Sequence, residues 1–458
     1  MTTVHSTSRR ALPAGPTEPP ILQTLRWLLR PIAFLESCRQ RFGDTFSVRF
    51  LGSPGPLVML SDPEAIRALY GNSEHGLPPG RTLALLPIVG PRSLLLLEGR
   101  DHLARRRLML PPFHGERMRA YEATVRDVVA RDVESWPEGE PFPIHERMQR
   151  VTLEVILRAV FGVTDAERRT RLADHLSRML ADTGTAGLQF AVLLSRRFGA
   201  PDPLARLQGL RREIDAMLDL EIAARRADPR EDILSMLVAA RFEGGEPMTG
   251  AEIRDQLMTL LIAGHETTAT GLAWTFDLLV HHPAVLERLV AEADAGEQAY
   301  ARAVVSESLR LRPVVPLAGR QLVSPLRVDG HVLPAGTAVT PAIWLAHTRA
   351  DRYPEPLAFR PERFLDGASA TSAWIPFGGG VRRCIGAAFA EMEMRVALAE
   401  VLRHRTLRAA SGNAERVARR NVTFSPAGGT RVIAATRHPA AARGLDGGAA
   451  SGAERLPA

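Results

Sequence analysis

The chain has two cysteines, Cys38 and Cys384, and the second stands in a setting suited to chemistry. From Trp374 to Glu400 the sequence reads WIPFGGGVRRCIGAAFAEMEMRVALAE. Three glycines let a backbone approach something flat or large and take φ/ψ values closed to other residues. After Cys384, residues Ala387, Ala388, Phe389, Met392, Val396 and Leu398 recur at helical spacing, which predicts a helix with the sulfur at its N-terminus. There the dipole and the unpaired N–H groups favour an anion. Arg382 and Arg383 act in the same sense, so the stretch predicts a thiolate. A phosphatase-type nucleophile would place an arginine where this chain has Ala390. A structural zinc site would need further Cys or His at short spacing, and none is near. Two readings remain, a functional thiolate and a buried structural cysteine, and the second gives the glycines and arginines no purpose.

A second group lies inside TGAEIRDQLMTLLIAGHETTATGLAWTFDLLVHHP. Thr249, with Glu252 three residues on, has the form of a capping box, and Pro283 marks the end, so the pattern predicts one long helix of about 45 Å. Its apolar run is interrupted by His265, Glu266 and Asp277, which argues for a buried central helix and against a membrane span. His265-Glu266 is not a zinc-protease motif, because the second histidine would fall at Ala269. Polar residues buried in mid-helix need a reason. A threonine that bonds back to the carbonyl one turn earlier would loosen the helix and make a polar notch at Ala263–Thr268. A third group, ESLR, puts Glu307 and Arg310 on one helix face. FRPERF then supplies Arg363 for a Glu-Arg-Arg network of the kind that fixes one arrangement of a fold.

The elements that carry these groups are mostly helical. FGDTFSVRFLG and GPLVML predict a short hairpin after an opening helix, AERRTRLADHLSRMLAD and LARLQGLRREIDAMLDLEIAARR are amphipathic helices, and LRVDGHVLPAGTAVTPAI predicts a hairpin turning at Asp329-Gly330. The fold class expected is mainly α with a smaller β region. Residues 1–20 are polar and proline-rich and predict a disordered lead, 21–437 a single domain, and 438–458 a low-complexity tail. The 458 residues, 45% of them hydrophobic, suffice for a large core. The two cysteines and the absence of a secretory leader suggest the cytoplasm. The net charge of +7 comes with no nucleic-acid motif and only 5% aromatic residues, which points away from nucleic acid and towards an acidic protein partner.

AGHETT, ESLR, PERF and FGGGVRRCIG occur here in the order that characterises one family. Over about residues 20 to 435 the chain resembles a cytochrome P450 of the bacterial, soluble type, a haem-thiolate monooxygenase. The resemblance implies haem b, with Cys384 as proximal iron ligand, Phe377 near the sulfur, and Gly380 and Gly386 letting the loop pass close to the haem. It implies propionate partners in Arg382, in His102 and Arg106 of HLARR, and in Arg320 of PLAGR. Thr267 and Glu266 match the family's oxygen-activating alcohol and acid, and Glu307, Arg310 and Arg363 its structural triad.

The function implied is insertion of one atom of dioxygen into an apolar small molecule such as a fatty acid, terpene or polyketide. By family position the pocket draws on residues 71–97, Gln189-Phe190, the central helix, Val315–Ala318 and the turn near Ser425. Electrons are expected from a separate acidic ferredoxin or flavodoxin with its reductase, steered to Arg105, Arg106, Arg107, Arg383 and Arg395. A haem sensor or carrier would have no use for the Glu266-Thr267 pair. A hydroperoxide-dependent peroxygenase or isomerase, and a haem-free cysteine transferase, would also make use of a reactive cysteine in this position.

Overall fold

The computed structural model describes residues 12–71, 75–77, 81–115, 117–183, 205–365, 373–420 and 422–437. Everything is arranged around the helix Gly250–Val280, 31 residues long. The expected capping box is present: the Thr249 side chain accepts from Glu252 N, and the Glu252 carboxylate accepts from Thr249 N. Polar contacts hold its first half in place. Asp255 accepts from Arg92 N at 3.0 Å, Gln256 from Leu94 N at 3.0 Å, and the hydroxyls of Ser93 and Thr259 lie 2.6 Å apart. Trp274 fixes the second half by donating to the carbonyl of Phe424 at 2.8 Å. The helices Ile144–Val155, Ala299–Leu311 and Ala387–His404 pack directly on this axis.

Among the described residues the β structure forms four small sheets. Thr45–Val48 and Leu57–Leu60 form the expected antiparallel hairpin. It follows two helices, Pro20–Leu29 and Pro31–Phe42, because Pro31 interrupts the opening helix pattern. Leu326–Val328 and His331–Leu333 turn at Asp329-Gly330, both with positive φ. The remainder of that sequence, Ala338–Pro341, joins Leu57–Leu60 in parallel and Arg320–Leu322 antiparallel. That five-stranded sheet ends at His75–Gly76. Leu12–Pro19, expected within a disordered lead, runs along the first strand instead. Ser47 N donates to the Ala14 carbonyl at 3.0 Å, and the prolines of this segment favour the extended backbone that such a contact needs.

A buried ion pair ties the helix Ala299–Leu311 to the segments that lead to the cysteine loop. Glu307 and Arg310 are both fully buried and make two bonds, at 2.7 and 2.8 Å. Arg363 adds a third at 3.0 Å to the same carboxylate. Arg310 also donates to the carbonyls of His347 and Pro356. His347 in turn accepts from Ile375 N at 2.9 Å, so the network sets where the cysteine loop starts. Removing one member of such a network leaves an uncompensated buried charge. Glu307→Gln should therefore destabilise the fold by about 3–5 kcal/mol. Urea unfolding is the measurement, and a midpoint equal to wild type would show that the network bears no stability.

Candidate functional site

The residues before Cys384 fold into a tight loop. Gly380–Arg382 forms one 3-10 turn, and Cys384 N donates back to the Phe377 carbonyl at 2.9 Å. The helix Ala387–His404 starts immediately afterwards with Gly386 as its N-cap, so the sulfur precedes a helix N-terminus as its spacing predicts. Phe377 is half-buried beside Trp374, with ring centroids 6.1 Å apart. The Cys384 side chain is accessible although protein crowds around it. It therefore lines a walled recess.

Those walls reverse one expectation. Desolvation raises the Cys384 pKa, against the Gly386 N–H and the Arg106 and Arg383 charges that lower it. The helix terminus and the arginines do not by themselves make a thiolate here. A metal bound at the sulfur would, since a coordinated thiol loses its proton outright.

The glycines also pack closely against Tyr70. A Cβ at Gly379 would lie 2.3 Å from the Tyr70 ring, and one at Gly380 would lie 2.4 Å from the Tyr70 carbonyl oxygen. Gly380 also has φ +63°, a conformation that favours glycine. What the backbone approaches at Gly380 is thus the end of helix Pro63–Gly71. At Gly386 an added Cβ would have no neighbour within 4 Å. The space beside that residue is open to a ligand.

On the central helix every residue from Asp255 to Leu279 is buried except Ile262, Ala263, Gly264, Glu266 and Thr267. They interrupt an otherwise enclosed stretch of the helix. Thr267 bonds back to the Ala263 carbonyl at 2.6 Å, the helix-loosening contact expected from the residue types. The central helix meets the helix after Cys384 at Gly271 and Met394. Both accessible positions, Ala263–Thr267 and Cys384, lie on the N-terminal side of that contact.

Glu266 does not touch Thr267. Its carboxylate accepts from Gln149 Nε2 at 2.6 Å and from Thr270 at 3.4 Å, and lies 3.6 Å from His145 Nε2. The side chain is 29% exposed, and burial raises its pKa against the Gln149 bond that lowers it. Burial lowers the pKa of His145 to about 4 and that of His265 to about 4, so both imidazoles are neutral at neutral pH. Gln149 and His145 come from helix Ile144–Val155. No sequence signal marked them, because only packing decides which face of that helix meets Glu266.

The four basic residues matched to propionates come from three separate elements. His102 and Arg106 lie one turn apart on helix Gly99–Met109, and His102 is buried. Arg382 donates to the Leu97 carbonyl at 2.5 Å. Arg320 is buried and donates to the carbonyls of Ala318 and Gly319. Burial lowers the pKa of Arg106 and of Arg320. Among the described residues neither pairs with a carboxylate. A desolvated guanidinium without a counter-ion is costly, and of the two Arg106 is close enough to Cys384 for their charges to interact. Among the described residues no cluster of three His, Cys, Asp or Glu could hold a metal ion. A flat, dianionic group held through the sulfur, such as haem, would fit this set of donors.

The expected positive docking face is smaller than the sequence suggests. Arg105 is 19% exposed and bonded to Glu252 at 2.6 Å, Arg107 pairs with Glu243, and Arg395 pairs with Glu122 at 2.7 Å. The acids that pair with them lie far away in sequence, so these pairs could not be read from it. Arg383 is exposed beside Cys384. Gln189-Phe190 lies outside the described residues. Among the described residues no helix is long and apolar enough to cross a membrane.

Known proteins share both sequence and shape with this chain. A family profile described as Cytochrome P450 matches residues 13–426. The chain is 40% identical over 448 residues to cytochrome P450 135B1 of Mycobacterium tuberculosis, which spans 95% of this chain and 94% of that protein. It is 37% identical over 429 residues to cytochrome P450 138 of Mycobacterium bovis, across 92% of this chain and 96% of that one. The solved structure of a retinoic acid bound cyanobacterial CYP120A1 superposes with a TM-score of 0.78 at 26% identity, over 93% of this chain and 100% of the other. A cytochrome P450DA haem domain, at 23% identity, shares the fold with a TM-score of 0.81 over 94% and 99%.

Proposed function

The chain belongs to the cytochrome P450 family, haem-dependent monooxygenases, and on that premise we propose that it oxidises an apolar small molecule held between the open face of the central helix and Cys384. The observation that carries this reading is the pair of accessible features: the Cys384 sulfur in its tight loop, and the partly accessible positions Ile262, Ala263, Gly264, Glu266 and Thr267 between buried stretches of the central helix. Haem bound through a cysteine thiolate supplies the oxygen activation, placing one oxygen atom in the substrate and releasing the other as water.

The residues of the chain do the rest. Cys384 would hold the haem iron through its sulfur, and Arg106, Arg320, Arg382 and His102 would neutralise the propionates. Ile262, Ala263 and Gly264 offer the substrate an apolar surface without bulk, and Val315, Leu317 and Ala318 are half-buried positions available to line the same pocket. A fatty acid, terpene or polyketide-like substrate suits such a lining, and retinoic acid in the cyanobacterial relative is of comparable chemistry. Thr267 orients a proton towards the reacting oxygen, and Glu266, with its raised pKa, resupplies it from the side of Gln149 and His145. Because Glu266 points to Gln149, it must swing between that partner and the open face to do so. Electrons are proposed to come from a separate acidic ferredoxin or flavodoxin docking around Arg383, in place of Arg105 and Arg107, whose charges are already paired.

Three measurements test these roles. Reduced holoprotein under carbon monoxide should show the red-shifted Soret band of a thiolate ligand, and Cys384→Ser should lose both that band and turnover; turnover retained in the variant would rule out the ligand assignment. Thr267→Ala should bind haem and substrate as wild type does, yet divert most of its reducing equivalents into hydrogen peroxide. Product yield per reductant equal to wild type would remove the threonine from proton delivery. Arg383→Glu should slow reduction by an acidic ferredoxin at low salt, with the difference shrinking as salt rises, while peroxide-driven turnover is unchanged. Equal rates across the salt series would place the docking site elsewhere.

A further inference from the structure

The opening helix, Pro20–Leu29, leaves one apolar face uncovered. Of the thirteen exposed large apolar side chains among the described residues, six are gathered here: Ile21, Leu22, Leu25, Leu28, Leu29 and Leu51. The five on the helix are between 43% and 75% exposed, and at about 100° per residue they fall within one arc of about 120°. Leu51 adjoins that arc, because its backbone N–H donates to Thr24 Oγ1 at 2.8 Å. Single exposed leucines need no explanation, whereas a contiguous patch marks a surface that meets something apolar.

The opposite face of the helix is fixed to the protein. Trp27 is buried against Phe50 and Phe424, with ring centroids 5.8 and 5.6 Å away. Gln23 is fully buried, donating to the carbonyls of Pro16 and Glu18 and accepting from Arg49 N. The apolar face is thus held towards solvent before anything binds. Around it the charge is basic: the first 51 residues hold seven arginines against three acids. Arg26 is paired with Glu18 at 2.9 Å. Arg30 and Arg49 are exposed and have no carboxylate partner among the described residues.

We propose that the face formed by Ile21, Leu22, Leu25, Leu28, Leu29 and Leu51 docks the protein on an anionic lipid surface, the apolar side chains entering the acyl boundary and Arg30 and Arg49 meeting the headgroup phosphates. The basic surroundings decide between occupants. A second copy of the same face would bring like charges together, whereas an anionic bilayer neutralises them. The helix lies on the bilayer and does not cross it: its 10 residues are about half of what a span requires. This inference needs neither haem nor substrate, so it stands apart from the monooxygenase reading.

Sedimentation of the full chain with vesicles of equimolar phosphatidylglycerol and phosphatidylcholine at low salt tests it. Wild type should sediment with these vesicles and not with pure phosphatidylcholine, and the bound fraction should fall as salt rises. Leu25→Ser combined with Leu29→Ser should weaken partitioning by about tenfold or more, since less apolar surface enters the lipid. Arg30→Glu combined with Arg49→Glu should weaken it by about tenfold and flatten the salt dependence. The arginine variant leaves every leucine in place, so it still decides the matter if circular dichroism shows the serine variant to be unfolded. Equal binding to the two kinds of vesicle, or binding unchanged by the substitutions, would overturn the proposal. So would wild-type protein that stays in the supernatant, and sedimentation equilibrium would then show whether a second copy covers the face instead.

Discussion

The cysteine loop has to hold its backbone rigidly while leaving its sulfur uncovered, and much of the structure serves that requirement. Its start is anchored by Ile375 N on His347, and its turn is closed by Cys384 N on the Phe377 carbonyl. Arg382 reaches the Leu97 carbonyl, and the Tyr70 ring supports the glycines from below. Each contact uses a backbone group or a ring and none covers the sulfur. The cost is desolvation, which raises the thiol pKa and leaves the site dependent on a bound metal for its charge.

The anchors depend on the Glu307–Arg310 pair. A single buried carboxylate accepts from two arginines and from the Arg360 backbone. Through Arg310 it also organises the carbonyls of the segment that leads to the loop. Ion pairs at this depth contribute little net stability beyond an apolar replacement, but they are intolerant of losing one partner. That intolerance suits a segment that must arrive at Cys384 in one register.

The central helix is weakened where it is exposed. Thr267 shares the Ala263 carbonyl, Gly264 leaves the face bare, and Glu266 is drawn towards the neighbouring helix by Gln149. A partly exposed acid with a raised pKa beside the neutral His145 imidazole keeps its proton to higher pH than an ordinary carboxyl does. The same helix is locked at both ends by Asp255, Gln256 and Trp274, so any loosening is confined to the middle.

The local sequence determined whatever depends on near neighbours along the chain. The Thr249 capping box, the Asp329-Gly330 turn, the Thr267 back-bond and the Glu307–Arg310 pair all join residues within four positions, and all were legible from residue types and spacing. The position of Cys384 before a helix was equally legible. Tertiary structure alone decided what meets those groups from far away in the chain. It set Tyr70 against Gly379, Gln149 and His145 against Glu266, and Glu252, Glu243 and Glu122 against arginines that the sequence left free for a partner. It also made the Cys384 pKa rise where local charge alone predicts a fall. Helix termini and nearby arginines act over a few residues, whereas desolvation is the sum of every wall around the sulfur, and those walls come from segments that only the folded chain brings together.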